Sequence, residues 1–454
     1  MIHLRSANLS HLSMTFILFG PFMSAVIAAL LSRWRRVTAV CGLLAAIILW
    51  LLLRAEPAIT QDKTLFGAVL VLSPGARALL LFLYAGLALL FGLALLFPQG
   101  GKLVPATLAA YGFLALALLA RPSLFGAFFL AAGLALLAVA IQDDRAGLVQ
   151  GGMRYLAMAA LALPFLLAAG WLLDTQPPGA AELVGRVALW AGLILLAAFP
   201  FHVWATTIIR ELSPLVWLLL FGLAQLVVTV FVFGLLPDGV NGEMVRLVEF
   251  TAVLTLLVAL LLLLTAVTLP RLISGLLLAD MAVVALLLVF DPATGGQTAV
   301  TVQTARFFSL LVLGIGLLLW SRFGSGALTA AAESGAQPRS QGIARRAPFT
   351  TIGLLLGCLS LAGLPLTSGF AGRWQVIQLL LRGEGAILAL LLLATMGAGV
   401  MALLRALPYW LTPAAESPPQ PVEARWLQIS WAIGLLLALY LAWQPPTWLA
   451  VLNP

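Results

Sequence analysis

The segment Leu359-Ser360-Leu361-Ala362-Gly363-Leu364-Pro365 interrupts a run of apolar residues that is long enough to cross a membrane. Proline removes a backbone donor and clashes with the preceding helical turn, and glycine readily adopts the conformations that end helices. The run from about Phe349 to Ser368 therefore predicts a membrane-spanning helix that breaks near Pro365. The sequence Phe199-Pro200-Phe201-His202 predicts a second break at Pro200, in a span from about Val184 to Trp204.

The composition of the chain excludes an ordinary soluble protein. Of its 454 residues, 63% are hydrophobic and only 9% are charged, whereas soluble domains have about 25% charged residues. The net charge of +8 comes mostly from scattered arginines. No basic cluster is interleaved with aromatic residues, so nucleic-acid binding is excluded. We therefore predict an all-α polytopic membrane protein in which residues 1–454 form a single transmembrane domain in the lipid bilayer.

A membrane-spanning helix needs about 20 predominantly apolar residues, and the chain contains about fourteen such segments. Their approximate limits are Leu12–Leu31, Val37–Leu53, Ala78–Phe97, Leu103–Ala120, Pro122–Ile141, Met153–Leu173, Val184–Trp204, Pro214–Leu236, Met244–Thr268, Arg271–Phe290, Val300–Trp320, Phe349–Ser368, Ile387–Leu407 and Leu427–Trp443. No cleavage signature follows the first segment, so we expect a retained helix. The polar stretch 321–346 predicts a flexible cytoplasmic loop.

The two interrupted spans are the seventh and the twelfth, five apart. A repeat of five spans reverses its orientation in the membrane, because five is an odd number. We therefore predict two inverted five-helix repeats, one over 103–236 (spans four to eight) and one over 244–407 (spans nine to thirteen). Interrupted helices at corresponding positions of inverted repeats point to an ion or substrate path. The distribution of Lys and Arg between alternate loops favours both termini outside.

Few polar side chains lie within the predicted spans, and these are the candidate site residues: Asp280, His202, Arg373, Gln225 and Arg306. A charge in the middle of a bilayer costs about 2.5–3.5 kcal/mol, so it needs a partner or a water path. Asp280 is either a protonatable relay group or a structural carboxylate that is neutralised by an arginine such as Arg306. The sequence leaves these two interpretations open.

The other candidates have similar alternatives. His202 follows the predicted break and suits proton transfer. Alternatively, it caps freed carbonyl groups there or anchors the helix at the membrane interface beside Trp204. Arg373 is either a fixed positive charge on a hydrophilic path or a side chain that reaches the membrane surface from a helix end. Gln225 cannot titrate and can only form hydrogen bonds. Cys41 and Cys358 lie in apolar runs and are expected to pack as small hydrophobes, so no metal site is predicted.

Three motifs resemble the antiporter-like membrane subunits of respiratory complex I, which are related to multisubunit cation/proton antiporters and membrane-bound hydrogenases. Pro200-Phe201-His202-Val203-Trp204, followed by Ser213-Pro214, is similar to the family pattern P-F-H-x-W and A-P. The stretches Leu359–Pro365 and Gly369–Trp374 resemble S-L-A-G-x-P-P and G-F-x-G-K-[FW]. Arg154-Tyr155 resembles the K-Y pair of the sixth span. The resemblance implies fourteen core helices, inverted five-helix repeats and broken helices seven and twelve.

The sequence departs from the family pattern at the residues that the family uses for proton transfer. Gly133 stands near the position of the family's glutamate in the fifth helix, and Leu195 stands where a lysine precedes P-F-H. Gln225 or Ala224 replaces the lysine of the eighth helix. In the second half, Asp280 is near the position of a lysine or histidine, and Arg373 replaces a lysine. The first proton channel is thus expected to be degenerate.

The resemblance implies a membrane-arm subunit of a complex I-like NADH/quinone oxidoreductase-type assembly that contributes to proton translocation, in the inner (cytoplasmic) membrane of a prokaryote. The expected partners are other membrane subunits, with quinone met only through them and no cofactor bound by this chain. The sequence ends soon after the fourteenth span, so an N- or M-type position is expected instead of an L-type one. A non-pumping scaffold subunit and a stand-alone secondary ion transporter remain as alternatives.

Overall fold

A computed structural model of the chain describes residues 2–55, 63–65, 67–142, 150–177, 179–236, 242–289, 292–323, 344, 347–382, 385–411, 428 and 434. Almost all of these residues are helical. The helices are α1 Ile2–Leu30, α2 Arg35–Ala55, α3 Pro74–Leu96, α4 Leu103–Leu119, α5 Ser123–Ile141, α6 Gln150–Thr175, α7 Ala180–Leu195, α8 Val203–Glu211, α9 Pro214–Trp217, a π-helical segment Leu218–Ala224, α10 Gln225–Leu235, α11 Gly242–Leu264, α12 Leu269–Leu287, α13 Pro292–Phe323, α14 Pro348–Ala362, α15 Ser368–Arg382 and α16 Ala386–Leu411.

The predicted helical membrane architecture is confirmed. Within the described ranges, nine helices are long and apolar enough to cross a membrane, and three shorter helices are also apolar. Each predicted span up to Ile387–Leu407 overlaps one of the helices given above. The fourteenth predicted span, Leu427–Trp443, and most of the predicted loop 321–346 lie outside the described residues. The count of fourteen spans and the inverted repeats remain predictions.

A small β-sheet was missed by the all-α prediction. Strands β1 Lys63–Leu65 and β2 Ala68–Leu70 form an antiparallel hairpin, and β3 Ala120–Arg121 pairs with β2. Gly67 lies in the turn of the hairpin with φ of 85°, a conformation that glycine adopts without steric cost. The strands are only two or three residues long, too short for their alternation to stand out in an apolar sequence.

Two long apolar segments are interrupted. The first interruption separates α7, which ends at Leu195, from α8, which begins at Val203. Within it the backbone N–H of Phe199 donates to Thr255 Oγ1 on α11 at 2.8 Å. In the apolar interior such a side-chain partner replaces the helical hydrogen bond that the break removes.

The second interruption separates α14, which ends at Ala362, from α15, which begins at Ser368. Gly363 ends α14 in the left-handed conformation with φ of 78°, as is common at helix C-termini. The backbone N–H of Gly369 donates to Ser360 Oγ at 3.2 Å. A β-carbon on Gly369 would lie 1.9 Å from the carbonyl oxygen of Ser360, so only glycine permits this approach of α15 to α14.

The helices differ strongly in burial. The helical segment Pro214–Leu235 and helices α12 and α13 are mostly buried, whereas less than half of α2, α6 and α11 is buried. The first group therefore forms the centre of the bundle and the second its periphery. All residues from Leu272 to Leu287 on α12 are buried. Any ionisable side chain on this helix must accordingly find its partners inside the protein.

Two carboxylates at helix ends accept hydrogen bonds from the N-termini of neighbouring helices. Asp174, at the end of α6, accepts hydrogen bonds from the backbone N–H groups of Ser123 and Leu124 at 2.8 and 2.7 Å. Glu211, at the end of α8, accepts from the N–H of Gly151 at 2.8 Å. Because the first N–H groups of a helix have no partner within it, these carboxylates stabilise the N-termini of α5 and α6.

Candidate functional site

The central feature of the interior is a carboxylate held between two arginines. Asp280 lies in the middle of α12 and is 5% exposed. Arg306 on α13 donates from Nε to Asp280 Oδ2, and Arg373 on α15 donates from Nη2 to Oδ1 at 3.1 Å. The two guanidinium groups thus occupy different oxygens of one carboxylate. Two consecutive helices, α12 and α13, and the more distant α15 meet at this point.

A glutamine extends this group toward the first helix interruption. Arg306 Nη1 donates to Gln225 Oε1 at 2.7 Å, and Gln225 Nε2 donates to the carbonyl oxygen of Leu195 at 3.1 Å. Leu195 is the last residue of α7, where carbonyl groups lack partners within the helix. Gln225 is the first residue of α10, which follows the π-helical segment. We call Gln225, Asp280, Arg306 and Arg373 the ion cluster.

Two glycines allow Arg373 to reach the ion cluster from the second interruption. A β-carbon on Gly363 would lie 2.5 Å from Arg373 Cδ and 2.7 Å from its Nη1, so the side chain lies directly against this glycine. A β-carbon on Gly372 would lie 2.7 Å from Val302 Cγ2 on α13. Glycine at 372 therefore brings α15 close to the helix that contains Arg306. The ion cluster joins one helix interruption to the other.

The charges of the ion cluster do not balance. Two guanidinium groups and one carboxylate give a formal charge of +2 − 1 = +1. All three side chains are at most 7% exposed, and Arg306 Nη2 and Arg373 Nε have no hydrogen-bond partner in the described part of the chain. Arginine does not lose its proton in proteins, and glutamine cannot titrate. Asp280 is therefore the member of the cluster that can take up a proton.

The structure places Asp280 and Arg306 together, as one of the two sequence interpretations expected, and adds Arg373 and Gln225 to them. The interpretation of Arg373 as a side chain that reaches the membrane surface is wrong, because it is 2% exposed and bound to Asp280. The sequence contains no carboxylate between residues 349 and 382 that could neutralise Arg373. Charge balance could therefore have suggested its pairing with Asp280.

His202 lies at the first interruption and is separate from the hydrogen bonds of the ion cluster. It is half-buried and precedes α8 without forming a side-chain cap. Its ring stacks on Phe199 with a centroid distance of 5.9 Å, and its Nδ1 is buried without a partner among the described residues. His202 therefore does not cap the N-terminus of α8, and both the capping of freed carbonyl groups and a role in proton transfer stay predictions.

A group of three serines at the second interruption was missed by the sequence reasoning. Ser360 Oγ lies 2.7 Å from Ser309 Oγ and 2.9 Å from Ser368 Oγ. The three residues come from α14, α13 and α15, the last two of which also contain the arginines of the ion cluster. Their hydroxyl groups can exchange donor and acceptor roles. Ser360 lies within the motif that predicted the interruption, which was the available signal.

The first half of the chain has no corresponding cluster at the positions that the resemblance singled out. A β-carbon on Gly133 of α5 would lie 2.9 Å from Leu114 Cδ2 and 3.0 Å from the carbonyl oxygen of Ala110. A carboxylate side chain does not fit there without displacement of α4. The polar contact nearby is neutral, from the hydroxyl of Tyr111 to the carbonyl oxygen of Leu219 in the π-helical segment, at 2.9 Å.

In the ranges that the structure describes, no three His, Cys, Asp or Glu side chains come together as a set of metal ligands. Cys41 and Cys358 are both free, and Cys358 is buried. The prediction that the chain binds no cofactor stays a prediction.

Comparisons with known proteins agree with this architecture. The chain is 28% identical over 442 residues to "NADH-quinone oxidoreductase subunit N" of Geobacter metallireducens, and the match covers 90% of each chain. Its fold matches a chain of the Mrp complex from Dietzia sp. with a TM-score of 0.77 and 15% identity, over 98% of this chain and 96% of that one. It also matches a chain of respiratory complex I from Thermus thermophilus with a TM-score of 0.71 and 19% identity, over 96% and 99%.

The family model described as "NADH:quinone oxidoreductase/Mrp antiporter, TM" matches residues 150–422. This range is more than half of the chain and includes both helix interruptions and all members of the ion cluster. The resemblance noted in the sequence is thereby confirmed. The chain is a multi-pass membrane protein and belongs to the NADH:quinone oxidoreductase/Mrp antiporter transmembrane family.

Proposed function

We propose that this chain is an antiporter-like subunit in the membrane arm of an NADH/quinone oxidoreductase-type assembly, and that it contributes to proton translocation through its second half. Family membership and the similarity to the subunit N relative support this assignment. The observation with most weight is the ion cluster, which links the two helix interruptions through buried hydrogen bonds. The first proton channel is degenerate in this proposal, since Gly133 and Leu195 offer no ionisable group.

Asp280 has the central role in the proposed mechanism. When Asp280 takes up a proton, the formal charge of the ion cluster rises from +1 to +2, and Arg306 and Arg373 lose their common counter-ion. Breaking a buried ion pair costs about 3–5 kcal/mol, so protonation must be accompanied by movement of at least one guanidinium group. Proton uptake is in this way coupled to a change in the packing of α12, α13 and α15.

The proposal also includes the location, the topology and the partners of the chain. We place the protein in the inner membrane of a prokaryote, with both termini outside and with other membrane subunits as partners. Electron transfer takes place in those partners, which also bind the quinone. The two inverted repeats, 103–236 and 244–407, and the cytoplasmic loop 321–346 belong to the same proposal.

The proposed role of Asp280 is tested by removing its carboxylate while the net charge of the ion cluster is kept constant. The double variant Asp280→Asn/Arg373→Gln has a cluster charge of +1, as in the original chain, but cannot take up a proton. We expect the intact complex to assemble and its proton transport in inverted vesicles to fall at least tenfold. The control Glu182→Gln removes an exposed carboxylate that also pairs with an arginine, Arg186, and is expected to leave transport unchanged.

A non-pumping scaffold is the second candidate, and the double pairing of Asp280 with two arginines favours it. Full transport in the assembled double variant would assign Asp280 to this structural role and overturn the proposed mechanism. A third alternative, a stand-alone ion transporter, is tested by purification. A tagged full-length chain that remains monomeric in mild detergent, without other membrane subunits, would contradict the assignment to an assembly.

A further inference from the structure

Each arginine of the ion cluster donates to Asp280 with only one of the two donors that a guanidinium group can present to a carboxylate. Nε and Nη2 lie on the same edge of the group and point in parallel, which permits two bonds to one acceptor. Arg306 donates from Nε and Arg373 from Nη2. The second donor of each edge, Nη2 of Arg306 and Nε of Arg373, is buried and has no hydrogen-bond partner among the described residues. Two charged N–H groups therefore remain available beside the carboxylate of Asp280.

The excess positive charge of the ion cluster lies on helices that are otherwise free of acidic residues. Asp280 is the only Asp or Glu in the sequences of α10 and of α12 to α16. The two carboxylates of α11, Glu243 and Glu249, occur within its first eight residues, and Glu243 pairs with Arg186 on α7. Among the described residues, the guanidinium groups of the cluster bond Asp280 and Gln225. A charge inside the membrane needs a counter-charge or access to water.

A neutral acceptor would satisfy the two available donors only in part. Gln303 lies one helical turn before Arg306, and its Oε1 is buried without a partner in the described part of the chain. A bond to this oxygen, or to a water molecule, would complete the hydrogen bonds of Arg306 but would leave the formal charge of the ion cluster at +1. A monovalent anion supplies both the acceptor and the missing negative charge. The two donors therefore fit an anion better than a neutral group.

The packing around Arg373 limits the size of such an anion. A β-carbon on Gly363 would lie 2.7 Å from Nη1 of Arg373, and a β-carbon on Gly372 would lie 2.7 Å from Cγ2 of Val302. An added methyl group thus has no room on the glycines that face the arginine and α13. A sulfate or phosphate ion has four oxygens around its central atom, whereas a halide ion is a single atom. The close packing favours the halide.

From these features we infer that the ion cluster binds a small monovalent anion of the halide class, such as chloride, through Nη2 of Arg306 and Nε of Arg373. The bound anion brings the formal charge of the site from +1 to zero while Asp280 is ionised. The carboxylate of Asp280 lies beside the same donors and weakens the binding by repulsion. The inference rests on the charges and donors of the cluster and is independent of the proton-translocating role proposed above.

The experiment uses the full-length chain in its native complex in mild detergent, with sodium gluconate replaced stepwise by sodium chloride at constant ionic strength. Hydrogen exchange of residues 302–310 and 363–376 reports the binding, because an anion held by both arginines ties α13 to α15. We expect chloride and bromide to slow this exchange with a saturable dependence on concentration, and sulfate to have no such effect. In Arg373→Gln, which removes one donor and brings the cluster charge to zero, the chloride effect is expected to disappear.

Asp280→Asn gives the opposite prediction. The cluster charge rises to +2 and both arginines remain, so the chloride concentration for half-maximal protection should fall about tenfold or more. This arm tests the inference even if Arg373→Gln cannot be recovered. The control Arg186→Gln removes an exposed arginine that also pairs with carboxylates and should leave the chloride dependence unchanged. Equal protection in gluconate and in chloride, or an unaltered half-maximal concentration in Asp280→Asn, would overturn the proposal of an anion site.

Discussion

Arg373 donates a hydrogen bond to Asp280 at 3.1 Å, although the two residues are 93 positions apart in the chain. Both are buried, and the bond fixes α15, which follows the second helix interruption, against the central helix α12. Arg306 occupies the other oxygen of the same carboxylate. The contributions of the two arginines to the free energy of unfolding can be separated, because each can be replaced while the other remains.

We expect Arg306→Gln to destabilise the protein more than Arg373→Gln. Arg306 bonds both Asp280 and Gln225, whereas Arg373 bonds only Asp280 within the cluster. Loss of Arg306 is expected to lower the free energy of unfolding by about 3–5 kcal/mol, the cost of breaking a buried pair. Either substitution brings the cluster charge to zero, but Arg373→Gln leaves the bond from Arg306 to Gln225 in place, and for it we expect about 1–3 kcal/mol. Reversible unfolding in detergent micelles measures both, and equal losses would contradict the asymmetry.

Gly363→Ala is expected to destabilise the second interruption by about 1–3 kcal/mol, because alanine is strained at positive φ. The added β-carbon would also lie 2.5 Å from Arg373 Cδ and displace the arginine from Asp280. Gly397→Ala is the matched control, since Gly397 lies in α16 with no atom within 4 Å of the added carbon. There we expect a gain of about 0.5–1 kcal/mol. A loss at both positions would speak against a specific role of Gly363.

Ser360→Ala removes the acceptor for the N–H of Gly369 and the central hydroxyl of the three-serine group. The buried donors left without partners are expected to cost about 1–3 kcal/mol. Hydrogen exchange at Gly369 should become faster. Ser321→Ala, which removes a hydroxyl that donates to the carbonyl oxygen of Leu318, should leave it unchanged. Unaltered exchange at Gly369 in Ser360→Ala would exclude this hydrogen bond.

Asp174→Ala is expected to destabilise the N-terminus of α5 by about 0.5–2 kcal/mol, the usual cost of losing a helix cap. The two N–H groups concerned are those of Ser123 and Leu124, and their hydrogen exchange should accelerate. Glu182→Ala removes a carboxylate from an exposed ion pair with Arg186 and should change stability by less than about 1 kcal/mol. Similar effects of the two substitutions would show that Asp174 acts only as a surface charge.

The membrane fold could be predicted from the sequence because apolar length and proline placement are local properties. The interruptions near Pro200 and Pro365 and the limits of most helices follow from such properties. The partners of Asp280 could be predicted only in part. Arg306 follows on the next helix and was considered, whereas Arg373 reaches Asp280 only through the close approach at Gly363 and Gly372, which depends on packing between distant helices.

Other features had no distinctive local signal. The π-helical segment Leu218–Ala224 is composed of ordinary apolar residues, and nothing in their order distinguishes it from an α-helix. The caps formed by Asp174 and Glu211 join helices through residues that look like ordinary surface charges in the sequence. Such contacts are set by tertiary geometry and appear only when the helices are assembled.

The unbalanced charge of the ion cluster has an electrical consequence. A net charge of +1 that is held within the bilayer responds to the membrane potential, at about 2.3 kcal/mol for a full crossing of 100 mV. If α13 and α15 shift so that the arginines move through one tenth of the field, the work is about 0.2 kcal/mol. The voltage across the membrane would therefore bias such a shift only weakly.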